Sequence, residues 1–524
     1  MKKSIALVLA LVLCLGIFAG CNADKPVETN PPATNPPATS GDSGDTTPAT
    51  DPVEEEYTFP AGAELHVICG HDINDLPLDK FVEEATGLSV KWTPLGSDDE
   101  LTAMLTQKVT PDLIFNYGPS WGHEMGRYGA FVNLWEYRDM MPNFFAHFDS
   151  YGEQMLTDYM TSEDELYSAP VFLNGDVQHY GWFYREDIFA KHNIQVPTTW
   201  EELLGVCKTL KEAYPESYPI TMRNGTWGFI EFAQQFGVDI GNHDAPALDL
   251  KTHKFYNKWT TDASRNFIRC MRELIELGYM DVACLSNGTA DWVADMSSGK
   301  SFITHDKAFQ LTNLEKAGQE VNPEYSLKWW HNMPLVESDL PYQCRASKDY
   351  NYSWHITTKC SDIELAVRYL DWMYSEEGSL ILSWGKEGES YGVDENGDKY
   401  FLEGYDKTYQ GRYQESGYID MKATAATYSK KCQEMIFDTM EEAAAGDFWF
   451  PPELVFTNEE QNVVTTYQTD WAACNGGYVQ KFLLGELDID NDNDWNAFLT
   501  DIVNYYEAEI LAAYDSAYAR KYGA

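Results

Sequence analysis

Glu64-Leu-His-Val-Ile-Cys-Gly70 alternates in the manner of a strand and breaks at a glycine, where a strand would enter a loop. Leu78, Phe81, Val82 and Ala85 follow at helical spacing and stop at Gly87, a residue suited to a helix C-cap. Leu88-Ser-Val-Lys-Trp92 alternates again, and Ser97 with Glu100 has the form of a capping box ahead of Leu101, Met104 and Leu105. Asp112-Leu-Ile-Phe115 closes the series as a short apolar strand. The order β-α-β-α-β predicts a mostly parallel sheet with helices on both faces.

The same grammar recurs downstream. Thr198 with Glu201 predicts a capped helix carrying Trp200, Leu203, Leu204, Cys207 and Leu210 on one stripe, and Ser361 with Glu364 predicts another that ends near Gly378. Two α/β blocks are therefore expected. Asp394-Glu-Asn-Gly-Asp398 is expected to be a hairpin turn, because Asn-Gly favours the primed turns. Asp488 to Asp494 imitates the start of a calcium loop, but Asn493 stands where such loops need Gly and Leu499 where they need a bidentate Glu. A helix start, with Asp492 to Asp494 capping Trp495, Phe498, Leu499 and Ile502, fits better, and no metal is expected. Tyr405, Tyr409, Tyr413 and Tyr418 would cover a cleft or, from the four-residue spacing of the first three, form a packed helix face.

Upstream of this body the chain changes character. Lys2 and Lys3, an apolar run from Ile5 to Phe18, and Ala19-Gly20 precede Cys21, an arrangement that resembles bacterial lipoprotein export signals. The resemblance implies removal of residues 1–20 and lipidation of Cys21, with fatty acid anchoring the chain to the membrane. The alternative is cleavage by a general signal peptidase and plain secretion. Residues 21–56, rich in Pro and Thr and carrying Asn30-Pro-Pro-Ala-Thr34 repeated as Asn35-Pro-Pro-Ala-Thr39, cannot bury enough apolar surface to fold and are expected to be a disordered leash. No later stretch approaches the roughly 18 apolar residues of a spanning helix.

The formal charge of −46 repels nucleic-acid phosphates and anionic headgroups, so neither is an expected ligand. Cys14 leaves with the signal and Cys21 would carry lipid, and the other cysteines show no Cys-x-x-Cys spacing, which disfavours zinc. Disulfides are permitted in an exported chain, though Cys207 and Cys270 lie in apolar helical patterns where buried thiols are expected. No Gly-x-Ser-x-Gly, His-Glu-x-x-His or Walker loop is present.

Pro111-Asp-Leu-Ile-Phe115, Glu165-Leu-Tyr-Ser-Ala-Pro170, Tyr184-Arg-Glu-Asp-Ile-Phe189, Pro197-Thr-Thr-Trp-Glu-Glu-Leu203 and Ser297-Ser-Gly-Lys-Ser-Phe-Ile303 occur in the order of the landmarks of bacterial extracellular solute-binding proteins of the carbohydrate type, family 1, and Glu364 to Gly385 resembles their late helix. The resemblance implies a two-lobed α/β protein with the type II periplasmic-binding-protein-like fold, each lobe a mostly parallel sheet flanked by helices. It implies residues 57–170 and 303–354 in one lobe and 171–302 and 355–524 in the other, with crossings near Pro170 to Arg185, Ser301 to Asp306 and Trp354 to Cys360. The implied activity is binding rather than catalysis: a monomer that closes on an oligosaccharide or other small solute, without a cofactor, and delivers it to the permease subunits of an ABC transporter. A secreted glycoside-active enzyme with paired carboxylates, or a ligand-sensing surface protein, are the alternatives.

Ligands of open α/β sheets lie beyond the carboxyl ends of strands, and sugars need flat aromatic platforms beside hydrogen-bonding groups. That places Trp121, Trp182 and Trp227 as expected platforms, with Tyr117, Trp354 and Trp384 behind them, and Asp72, Asp75, Arg223 and Asp306 as polar partners. The competing reading makes the aromatics core residues and the charged groups caps or exposed loop charges.

Overall fold

The computed structural model describes residues 57–94, 98–105, 111–116, 118–161, 163–174, 180–223, 229, 232–238, 244–330, 335–336, 350–444 and 454–523. The export signal, Cys21 and the leash lie outside the described residues. The strands, in chain order, are β1 (Glu64–Cys69), β2 (Ser89–Pro94), β3 (Leu113–Asn116), β4 (Ala169–Asn174), β5 (Tyr180–Arg185), β6 (Ala247–Asp249), β7 (Lys254–Tyr256), β8 (Ile303–Lys307), β9 (Leu327–Trp330), β10 (Tyr350–Ile356), β11 (Tyr391–Val393), β12 (Lys399–Phe401) and β13 (Tyr418–Asp420).

Six of these form one sheet in the order β13-β4-β10-β3-β1-β2. β1 pairs in parallel with both β2 and β3 across connecting helices, as the opening pattern predicts. Leu65, Val67, Ile68 and Cys69 are buried because helices cover both faces. The first of those helices, Pro77–Thr86, stops where Gly87 takes the left-handed conformation (φ 71°) and returns its N–H to the Glu83 carbonyl. β10 runs antiparallel between β3 and β4. It lies in the middle of the sheet, and Ser353, Trp354, His355 and Ile356 are all fully buried.

A second sheet, β8-β5-β9, is antiparallel at both of its pairings and is extended by a parallel bridge from Ile220 to Ile303. Its apolar cluster joins Trp182, Phe189, Leu203, Phe232, Phe267 and Phe302 to Trp471, Phe482, Phe498 and Tyr514 of the last helices. The cluster on the first sheet joins Val67, Phe115, Phe144 and Phe172 to Leu365, Leu370, Leu382 and Ile419.

These memberships correct the expected lobe boundaries. β8 belongs with β5, so residue 303 opens no return to the first sheet, and helices Ile363–Trp372 and Glu376–Trp384 pack on the first sheet rather than the second. The chain passes between sheets after Asn174, after Trp330 and after Asp420, with Ala425, Cys432 and Ile436 packing against Phe183. Ser301 to Asp306 and Trp354 to Cys360 are not crossings, because their strand residues are paired inside a sheet.

Local signals are displaced by small amounts. Thr199 caps Trp200–Ala213, while Thr198 is held by Glu202, and Asp362 rather than Ser361 caps its helix. Gly378 lies inside a second helix, packed on the Trp372 carbonyl. Asn491, one residue ahead of the expected run, caps Asp492–Ile502. β11 and β12 form the hairpin around Asp394 to Asp398. The late tyrosines are not a helix face: Tyr413–Glu415 is a single 3-10 turn leading into β13. The seven described cysteines are unpaired, and burial is the leading influence that pushes the Cys270 thiol up to about 12 and those of Cys432 and Cys474 up to about 11.

The first-sheet cluster meets the C-terminal helix through polar contacts. Asp158, on Glu153–Tyr159, pairs with Lys521, on Glu507–Tyr522, and the two side chains are 0% and 4% exposed. Beside them Arg127 donates to the Phe456 carbonyl (2.8 Å), and Arg520 clamps Glu460 and the Val455 carbonyl. Burial chiefly pushes the neighbouring His123 down to about 4. Removing one member of a buried pair strands the other, so Asp158→Ala should lower stability by about 3–5 kcal/mol, read as an earlier urea midpoint. Burial alone would raise the Glu460 carboxyl, but hydrogen bonds from Arg520 and its other neighbours bring it down to about 2. A depressed folded value stabilises above the ordinary 4.5 and is lost as pH falls toward about 2. The midpoint difference between wild type and Glu460→Gln should therefore shrink across that interval.

Candidate functional site

The carboxyl ends of β1, β3 and β4 lie at the same edge of the first sheet as the start of antiparallel β10, since Ser353 pairs with Asn116 and Tyr350 with Phe172. A turn from the late segment covers this edge. At Gly70, just past β1, an added Cβ would lie 2.4 Å from Gln414 Cβ, so only glycine admits the turn so close. His71 Nδ1 is 2.8 Å from Glu415 Oε1, and the imidazole packs on Tyr409 at 5.0 Å. Glu415 is fully buried, and burial is the main cause of its raised carboxyl pKa, against the lowering influence of His71 and Arg412.

Beside this pair Tyr352 and Tyr413 stack at 4.3 Å with their planes 8° apart. Tyr352 occupies a left-handed conformation (φ 46°) where the β10–β4 register slips between Asn351 and Ser353. A bulky residue held there is strained, and the bulge it makes turns a ring out of the strand toward the Tyr413 ring. Both rings are partly exposed. Aromatic faces and hydrogen-bonding groups thus share the strand-end edge of the first sheet.

The second sheet offers a different edge. β5 begins at Tyr180 at the edge where β8 ends at Lys307 and β9 ends at Trp330, so one inter-sheet connection arrives and another leaves there. The Trp329 indole lies over Gly181, 2.3 Å from where a Cβ would be. Arg223 forms a two-pronged ion pair with Asp306 (2.6 and 2.8 Å), donates to Thr289 (3.1 Å) and lies over Trp292 at 5.0 Å.

Of the expected platforms, Tyr117 and Trp227 fall outside the described residues. Trp121 sits in the first turns of helix Pro119–Arg127, half-buried between Phe131 (5.1 Å) and His355 (5.4 Å). Trp182, Trp354 and Trp384 are corrections: their indoles are core residues with no face open. Trp182 stacks on Trp330 at 5.2 Å and donates to Gln235, Trp354 donates to the Ser416 carbonyl, and Trp384 donates to Asp420. Each spends its one polar atom inside the protein.

The polar candidates are divided. Asp72 and Asp75 are exposed on the loop after β1, where Asp72 accepts from the Asn74 N–H (3.2 Å) and Asp75 donates its own N–H to Asp79 (2.9 Å). Asp306 and Arg223 neutralise each other at the edge of the second sheet, well away in sequence from the His71 loop. His71, Tyr352, Tyr413 and Glu415 went unnoticed as a group. Glu415 carries no local motif, and the spacing of Tyr409 and Tyr413 imitates a helix. Among the described residues no cluster of three or more His, Cys, Asp or Glu side chains could hold a metal ion, and no helix is long and apolar enough to cross a membrane.

Residues 78–384 match the family model described as bacterial extracellular solute-binding protein. The chain belongs to that family. An uncharacterized ABC transporter extracellular-binding protein of Pyrococcus horikoshii is 24% identical over 207 residues, 38% of this chain and 46% of that relative, so the match spans about half of the curated protein. Among solved structures, the alginate-binding protein AlgQ2 without calcium ion superposes with a TM-score of 0.72 at 19% identity, covering 88% of this chain and all of the other. The Streptococcus pneumoniae ABC-transporter substrate-binding protein FusA in complex with kestose gives 0.69 at 15% identity, covering 88% and 99%. At these identities the likeness establishes the two-lobed binding-protein fold.

Because Trp354 lies at the centre of the first sheet, Trp354→Ala should destabilise the ligand-free protein by about 3–5 kcal/mol. Tyr413→Ala, at a partly exposed edge, should cost well under half as much. Thermal unfolding of the two variants checks this ranking.

Proposed function

We propose that this protein captures an oligosaccharide between its two lobes, without altering it, and delivers it to the permease subunits of an ABC transporter. The observation that carries the reading is the strand-end edge of the first sheet, where stacked Tyr352 and Tyr413 stand beside His71. Sugar rings present an apolar C–H face and a hydroxyl rim, and this edge supplies flat rings next to hydrogen-bonding groups. The alginate and kestose ligands named for similarly folded proteins support a carbohydrate. Trp121, Arg223, Asp306, Asp72 and Asp75, with Tyr117 and Trp227, complete the proposed contacts from their respective loops.

Binding is then a closure equilibrium in which only the closed form lets both lobes touch the solute, so ligand shifts the population toward it. A dissociation constant near micromolar corresponds to about −8 kcal/mol, within reach of two or three stacked rings and their hydrogen bonds. Lipid on Cys21 would keep the protein at the outer face of the cell membrane, and residues 22–56 would give it a working radius of roughly 30 Å as a flexible coil. The partner is a membrane permease, and the binding unit acts as a monomer.

Titration of residues 57–524 with neutral and acidic oligosaccharides should change tryptophan fluorescence saturably, with the sugar recovered intact by mass spectrometry. Shortened sugar in the same samples would turn the assignment to a glycosidase. A screen in which peptides alone raise the melting temperature would remove carbohydrate from the reading.

A further inference from the structure

Within seven residues of the late segment, four buried oxygens have no hydrogen-bond partner among the described residues: Gln410 Oε1, Gln414 Oε1, Glu415 Oε2 and Ser416 Oγ. Buried polar atoms in native proteins are nearly always satisfied, so such a concentration marks a place that receives hydrogen-bond donors from outside the chain. Glu415 is the centre of it. One carboxyl oxygen is engaged by the His71 ring, Oε2 has no hydrogen-bond partner among the described residues, and the residue is 0% exposed.

His71 is the way in. Its side chain is 33% exposed, its Nδ1 is held by Glu415, and its Nε2 makes no hydrogen bond among the described residues. A ring fixed at one nitrogen by a buried carboxylate is fixed in tautomer and direction, with the other nitrogen presented outward. Tyr409 packs against the same ring, and the Tyr352–Tyr413 stack flanks the turn that carries Glu415.

Resting on the carbohydrate reading above, we propose that His71 contacts the ligand, that Glu415 is the residue that positions it, and that this end of the site selects a neutral, hydroxyl-rich sugar over a polyuronate. The selection follows from chemistry. Hydroxyls donate as well as accept, and they satisfy surplus oxygen acceptors directly or through one bridging water. A carboxylate brings acceptors only, and it would approach Glu415 and Asp72, with Arg412 the cation that faces Glu415 and partly offsets them. Arg412 already gives its Nε–H to the Thr408 carbonyl (3.1 Å).

The test compares kestose, as the neutral probe, with an alginate oligosaccharide of similar length, by calorimetric titration of wild type, His71→Ala, Glu415→Gln and Glu415→Asp. The expected result is preferential binding of the neutral sugar, a loss of about tenfold in His71→Ala and a similar loss in Glu415→Gln, with partial rescue in Glu415→Asp. The ligand-free wild type should also show a low-field His71 Nδ1 proton by NMR that is absent in Glu415→Gln, a signature that mere loss of packing would not imitate. Affinity for kestose unchanged in folded His71→Ala, or tighter binding of the alginate fragment by wild type, overturns this proposal while leaving the carbohydrate reading intact. If neither sugar class binds wild type, the carbohydrate reading falls and this one falls with it.

Discussion

The architecture depends on β10. A strand drawn from the last third of the chain lies between β3 and β4 and supplies hydrogen bonds to both, so the first sheet has no continuous middle until residues 350–356 arrive. Its Ser353, Trp354 and His355 are completely buried, which leaves no solvent to replace a missing partner. The sheet's far edge depends on a still later piece, β13. Each half of the molecule is therefore assembled from segments distant in sequence, and the connections between halves follow from that interleaving.

The same insertion builds the candidate site. Because β10 runs against its neighbours, its first residues come to the edge where β1, β3 and β4 end, and the slip at Asn351 to Ser353 brings Tyr352 there in a strained conformation. The turn Tyr413–Glu415 then lies across Gly70, and the buried carboxylate reaches the His71 ring. Residues more than three hundred positions apart meet through main-chain topology, with the side chains following. The second sheet contributes an edge in which Arg223 and Asp306 form an ion pair.

Much of the fold could be read from local pattern. The alternation from Glu64 to Cys69, the stripe from Leu78 to Ala85 and the glycine stop at Gly87 are short-range signals, and each specifies its element without help from distant sequence. The caps at Thr199, Asp362 and Asn491 were displaced by one residue because adjacent Ser, Thr, Asn and Asp side chains compete for the same N–H groups. The lobe boundaries could not be read, since a strand's partner is decided by topology: nothing within β8 or β10 says that the first joins β5 and the second lies between β3 and β4. For the site, tryptophan size misled. Trp182 and Trp384 flank glycines and Trp354 lies within β10, and all three are buried, whereas Tyr352 and Tyr413 stay partly exposed. A lone Glu415 and a lone His71 give no sequence signal until folding sets them 2.8 Å apart.

The unpaired sulfurs carry an implication for how this polypeptide matures. Cys69, Cys207, Cys270, Cys284 and Cys432 are buried and unpaired, and burial shifts each thiol toward its protonated, unreactive form. Cys360 and Cys474, only partly covered, are shifted in the same direction. Acquisition of shape outside the cytosol then relies on hydrophobic assembly and strand insertion, with none of these seven sulfurs needing an oxidant or an isomerase. The described body should keep its structure in a reducing medium, where bridge-stapled secreted proteins lose theirs.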